Sequence, residues 1–207
     1  MIAISVYGGI KGKNKMITPD DINPPQIRQN WNIDVGMLPV EEVKEWIENI
    51  ERIYPYSQAK TMGEHDDNIR SSKIRWVTGD SYLTEFLFQI ANIFAQKTGI
   101  HIYKNCEIQY TEYDAAYKGH YAMHHDVDWN RCDGLDRKLS VTFQLSNPDD
   151  YEGGDFLFEE IEGPDPQQLK KLGTNLIFPS YHKHMVTPVT KGVRKSLVAW
   201  FYGPQWR

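Results

Sequence analysis

Apolar positions along the chain follow two different periods, and the change from one to the other divides it. In "LPVEEVKEWIENIERI" (38–53), Val43, Trp46, Ile47, Ile50 and Ile53 recur at the three- and four-residue spacing of one helix face. Pro39 with Glu41 and Glu42 suits the start of that helix: the first turn has no use for proline's missing N–H and favours negative charge. "SSKIRWV" (71–77) reads as a short strand. "GDSYLTEFLFQIANIFAQKTG" (79–99) returns to helical spacing, with Asp80 or Ser81 as its cap and Gly99 as its stop. From His101 the period shortens. "HIYKNCEIQYTEY", "HYAMHHDVDW", "KLSVTFQLS", "GGDFLFEE", "GTNLIFPS", "HKHMVTPV" and "RKSLVAWFY" are short aromatic or β-branched runs between Gly, Pro, Asn and Asp clusters.

Two helices followed by a run of strands predict an α+β, mainly β fold, a jelly-roll core with the N-terminal helices packed on one sheet. The expected organisation is a single domain over 1–207, with a loop or lid-like segment at 1–30, mainly helical support at 31–100 and the jelly-roll core at 101–207. Trp76 and Trp200 are read as core or near-core. Trp129 borders a substrate entrance or covers a strand edge, and the loop Asn130 to Lys138 leaves its strand near any site built there.

Composition removes several function classes. Apolar residues at 40% and aromatics at 13% are those of a folded globular chain. A net charge of −5, with basic residues only in short patches such as "KGKNK" and "LKKL", argues against nucleic acid as a partner. No apolar run has membrane-span length and the N-terminus lacks a signal-peptide pattern, so no membrane partner and a cytoplasmic location are expected. Cys106 and Cys132 are isolated, which gives neither a disulfide framework nor a CxxC zinc site. Nothing in the sequence bears on oligomeric state.

Five of the seven histidines fall in two clusters, His120, His124 and His125, then His182 and His184. On a strand, side chains two apart share a face, so His124 and Asp126 point one way and His125 the other. His-x-Asp with one distant histidine fits the facial triad of non-haem Fe(II), two imidazoles and a carboxylate leaving three positions open. Further on, "TKG" reads as the turn of a hairpin. Pairing even positions with even positions puts His184, Arg194 and Ser196 on one surface and Lys195 on the other. An arginine there can grip a carboxylate with two parallel hydrogen bonds.

These residues resemble the Fe(II)- and 2-oxoglutarate-dependent oxygenases, and within them the prolyl-4-hydroxylase-like branch. The resemblance is carried by "Y-x-x-H-x-D" (Tyr121, His124, Asp126), "GGDF" (153–156), "FPS…H-x-V-x-PV-x-x-G-x-R-x-S" and the ending "VAWFYGP". It is close over about the C-terminal half; the helices before it match in layout only. It implies a double-stranded β-helix, iron held by His124, Asp126 and His184, and the far carboxylate of 2-oxoglutarate held by Arg194 with Ser196 assisting. Tyr113 and Tyr121 stand where the family often places tyrosines around the cosubstrate. Fe(II) and 2-oxoglutarate are the implied cofactors, with ascorbate as a candidate accessory reductant, and no catalytic side chain is implied beyond the ligands. The implied reaction is hydroxylation of an unactivated C–H with decarboxylation of 2-oxoglutarate to succinate. A prolyl residue of a peptide or protein is the leading substrate. A free amino acid or other small molecule, or a barrel kept only for binding, are the alternatives.

Overall fold

The computed structural model describes residues 28–59 and 66–206. The expected lid-like segment lies almost wholly outside them. Helix α1 (Val40–Ile53) follows Pro39, carries Glu41 and Glu42 in its first turn, and buries Val43, Trp46 and Ile50. Ile53, expected on the same stripe, is the last residue of the helix and is exposed. Helix α2 (Ser81–Thr98) begins where Asp80 accepts a hydrogen bond from the Leu83 N–H at 2.8 Å. It ends at Gly99, whose φ of 71° closes the last turn without a Cβ penalty.

The strands form two sheets. The larger takes the order β1 (Asn32–Asp34), β10 (Asn175–Pro179), β7 (Leu135–Gln144), β12 (Val189–Pro204), β5 (Cys106–Asp114), β4 (Lys73–Val77), β2 (Ser57–Gln58), with β8 (Tyr151–Gly153) added to β12. The smaller runs β3 (Arg70–Ser71), β6 (His120–His124), β11 (His184–Val186), β9 (Phe156–Phe158). Every pairing is antiparallel. A short helix, α3 (Pro166–Lys170), precedes β10.

Period-two alternation sorts the large sheet into two surfaces. Leu139, Val141 and Phe143 of β7, Ile108 and Tyr110 of β5, and Leu197, Ala199 and Phe201 of β12 join the apolar faces of α1 and α2 in one core. Their alternates, Thr142, Gln109, Tyr113, Arg194, Ser196 and Trp200, look toward the smaller sheet and line the space between the two. The helices therefore anchor one face and leave the other for chemistry.

Candidate metal centre

β6 ends at His124, whose cross-strand partner on β11 is His184. The strand reading through Asp126 does not hold. Asp126 sits in the bend after β6, where its N–H donates to the Ser180 carbonyl at 2.9 Å. The bend still turns its carboxylate onto the two histidines. One ligand atom from each of His124, Asp126 and His184 lies within 4.8 Å of the others. Asp126 Oδ1 is 3.5 Å from His124 Nε2, and Oδ2 is 3.6 Å from His184 Nε2.

The outer contacts fix what these atoms present. His124 Nδ1 donates to the Ala122 carbonyl at 2.8 Å and His184 Nδ1 to the His182 carbonyl at 2.9 Å. A carbonyl only accepts, so each Nδ1 keeps the proton and each neutral ring turns a bare Nε2 lone pair inward. Ser140 Oγ donates to Asp126 Oδ2 at 2.6 Å and shares a second contact with Ser180 Oγ at 2.9 Å, which orients the carboxylate. Burial alone would raise the Asp126 carboxyl, but attraction to the charge that His184 and His124 carry when protonated outweighs it and holds the group below the ordinary carboxylate range. Burial pushes His184 down to about 4. Two imidazole lone pairs facing a carboxylate make a donor set for a divalent cation; His124, Asp126 and His184 form a possible iron-binding site.

Arg194 and Ser196 line the same chamber as the three ligands, though by another route than the one expected. β11 and β12 are not a hairpin. β11 pairs with β6 and β9, and β12 with β5, β7 and β8, so His184 and Arg194 face each other across two sheets. Parity within β12 survives the change of partner: Lys195 points to the helix side and binds Glu51 at 2.7 Å. Arg194 is 6% exposed, and among the described residues its guanidinium has no carboxylate or hydrogen-bond acceptor, only the Tyr113 ring 5.7 Å away. A Cβ on Gly154 would stand 2.8 Å from Arg194 Cδ, so the glycine leaves room for the arginine stem. Tyr113 is the cross-strand partner of Arg194. Tyr121 stacks on His124 with ring centroids 3.5 Å apart, and burial pushes its hydroxyl up to about 12. His125 lies outside the ligand set, its Nε2 accepting from Trp129 Nε1 at 3.0 Å.

The sequence reading missed Arg70, Gln109, Thr142, Phe156, Phe178 and Trp200, which complete the chamber wall. The alternation of Ser140, Thr142 and Gln144 against Leu139, Val141 and Phe143 was a usable signal for β7. Outside the chamber a cleft of about 550 Å³ opens over the ligands, lined by Trp76, Trp200, Tyr202, Arg131 and Arg137. Trp76 was read as core and is 42% exposed. It pairs with Gln109 and shares that residue's site-facing side, at the edge where the smaller sheet no longer covers it. Arg131 brings the loop to the cleft, but the loop is shorter than the expected 130–138 because β7 begins at Leu135, and Arg137 on that strand is paired with Glu107.

Residues 108–202, the span that holds every ligand and Arg194, match the family model of the 2OG-Fe(II) oxygenase superfamily. The chain carries a 2OG-Fe(II) oxygenase domain. That domain is similar to a PKHD-type hydroxylase of Idiomarina loihiensis, 35% identical over 81 residues, 39% of this chain and 36% of the relative. The chain spans about a third of the length of the curated relatives it matches. In fold, the oxygenase domain and its helices resemble a Pseudomonas putida prolyl-4-hydroxylase, with a TM-score of 0.64, 21% identity, and coverage of 83% of this chain and 92% of that one. They also resemble a Trichoplax adhaerens prolyl hydroxylase in complex with a hypoxia inducible factor oxygen degradation domain peptide fragment, with a TM-score of 0.63, 18% identity, and coverage of 84% and 83%. The jelly-roll is thus the double-stranded β-helix of these oxygenases. No helix among the described residues is long and apolar enough to cross a membrane.

Proposed function

We propose that this protein is a 2-oxoglutarate-dependent dioxygenase that hydroxylates prolyl residues of a peptide or protein. The observation that carries the reading is a buried arginine without an acceptor, in one chamber with two bare imidazole nitrogens and a carboxylate. His124, Asp126 and His184 would hold Fe(II) from one side, and Arg194 would take the far carboxylate of 2-oxoglutarate, with Ser196 beside it. When bound, iron and 2-oxoglutarate supply the oxidising chemistry: dioxygen is consumed, 2-oxoglutarate leaves as succinate and carbon dioxide, and an unactivated C–H becomes C–OH.

The chain's own part is placement and exclusion of water. Phe156, Phe178, Val186 and Val198 give the chamber an apolar wall, which strengthens the Arg194–carboxylate contact and keeps solvent from the reacting centre. Tyr121 braces the His124 ring by stacking. The cleft supports the peptide over the free amino acid, being open and edged by the exposed aromatic face of Trp76, while the buried Trp200 and Tyr202 rings carry Arg137 and Arg131 over them. An extended proline-rich segment docks on such faces with little entropy to lose. The single-domain organisation over 1–207 belongs to the same proposal.

The test is succinate release by the iron-loaded protein with 2-oxoglutarate, measured against a panel of proline peptides and a panel of free amino acids. Peptide-stimulated succinate and hydroxyproline in the peptide are expected. Stimulation by a free amino acid alone would transfer the assignment to a small-molecule hydroxylase, and no turnover of 2-oxoglutarate under any condition would leave only a binding barrel.

A further inference from the structure

Two buried guanidinium groups flank the metal ligands without a carboxylate partner among the described residues, and the proposed function uses only one. The second is Arg70, on the edge strand β3 and 6% exposed. Its Nε donates to Ser72 Oγ at 3.0 Å and its Nη2 to Gln109 Oε1 at 2.6 Å. Its guanidinium carbon lies 4.5 Å from the centroid of the Tyr121 ring. All of these partners are neutral, and among the described residues no carboxylate lies within ion-pair distance of it. A cation buried without counter-charge is costly, and it persists in a binding site where the ligand brings the missing charge.

The neutral contacts also aim the group. With Nε and Nη2 tied down, the planar fork has no rotation left, and Nη1 takes none of these bonds. Arg70 lines both the metal chamber and the outer cleft. The Tyr121 ring beneath it is the one that stacks 3.5 Å from His124. A single aromatic ring therefore separates Arg70 from a metal ligand, and a group held at Nη1 is only a few bonds from a carbon presented to the metal.

We propose that Arg70 binds a carboxylate of the substrate, so that the protein selects an acidic substrate over its neutral counterpart. The inference rests on the hydroxylase reading above. The carboxylate has two possible sources: an acidic side chain beside the target proline in a peptide, or the α-carboxylate of a free amino acid.

Two matched pairs of probes separate the sources: blocked peptides containing Pro-Asp or Pro-Asn, and free L-proline or L-prolinamide. Each is titrated calorimetrically into the full chain loaded with Mn(II) and 2-oxoglutarate. In the wild type, the acidic member of one pair should bind about tenfold more tightly than its neutral partner, as a charge-assisted contact in a partly desolvated site requires. The pair that shows the preference names the source. Arg70→Gln should remove the preference. Gln109→Glu offers an independent route, since it places a carboxylate against Arg70 and supplies the counter-charge from within. It should abolish the preference, with thermal melts reporting that the variant is folded. Equal binding of both members of both pairs in the wild type overturns the proposal, as does a preference that survives both substitutions. Loss of 2-oxoglutarate turnover in the wild type would instead overturn the hydroxylase reading itself.

Discussion

The two faces of β5, β7 and β12 are built from alternate residues of the same strands and do opposite work. Leu139, Val141, Phe143, Leu197, Ala199 and Phe201 look toward α1 and α2 and are almost entirely buried among apolar neighbours. Their neighbours in sequence, Ser140, Gln144, Arg194 and Ser196, are also buried but polar, and with the half-buried Thr142 look toward the ligands. Burial alone therefore does not mark the core of this protein. What separates the faces at Lys195 and Arg194 is whether the cation finds its partner inside the protein. Lys195 strays onto the helix face and is satisfied there by Glu51, which also accepts from the Tyr110 hydroxyl. Arg194, one residue earlier on the other face, has no such partner among the described residues. The helix face stores stability, and the site face stores unsatisfied bonding capacity for ligands.

Substitutions on the two faces should fail in different measurements. The largest effect is expected at Asp126→Ala, which removes the only carboxylate of the donor set. Affinity for Mn(II), measured by titration, should fall by roughly 100-fold or more, with turnover abolished. Next comes Leu197→Ala on the helix face, directly between Ser196 and Val198. It should lower unfolding free energy by about 2–5 kcal/mol, read by denaturant titration, while the folded protein binds metal as before. A loss of metal affinity in Leu197→Ala comparable to that in Asp126→Ala would break the separation of faces.

A smaller, graded effect is expected from pH. An unfolded histidine takes up its proton as pH falls through about 6.5, whereas burial delays protonation of His184 to about 4. Between those values the unfolded chain binds more protons than the folded one, so the stability of the metal-free protein should fall as pH is lowered through that window. Asp126, held below the usual carboxylate range, acts with the same sign at still lower pH. Thermal melts of metal-free protein across this range check the direction, and His184→Gln should flatten the upper part of the profile.

The sequence disclosed some of this and hid the rest for physical reasons. α2 was legible at both ends, to the residue at Gly99 and to within one residue at the cap, where Asp80 rather than Ser81 does the work, because both signals are local and need no tertiary context. His124 and Asp126 could be paired because they are two apart, although the strand that justified the pairing stops between them. The even-residue face of β12 was legible because alternation is intrinsic to a strand. The partner strand was not, since β11 and β12 look like a hairpin in sequence and lie in different sheets. Arg70 and Gln109 were invisible for the same reason: each is one polar residue in an unremarkable strand until β3, β5 and β6 are assembled. Trp76 was misread because its residue type suits a core, while its place on the sheet edge exposes it to the cleft.

The central claim is that the three ligands and Arg194 form one site, which takes a metal and a dicarboxylic oxoacid together. It is tested most directly by comparing 2-oxoglutarate with 2-oxobutyrate, which lacks the far carboxylate, in calorimetric titrations of Mn(II)-loaded wild type and Arg194→Gln. The account predicts that the wild type binds 2-oxoglutarate about 10–100-fold more tightly than 2-oxobutyrate. It predicts that neither binds appreciably without metal, and that Arg194→Gln retains metal affinity while losing the difference between the two acids. Equal affinity for both acids in the wild type, or a difference that persists in Arg194→Gln, would contradict it.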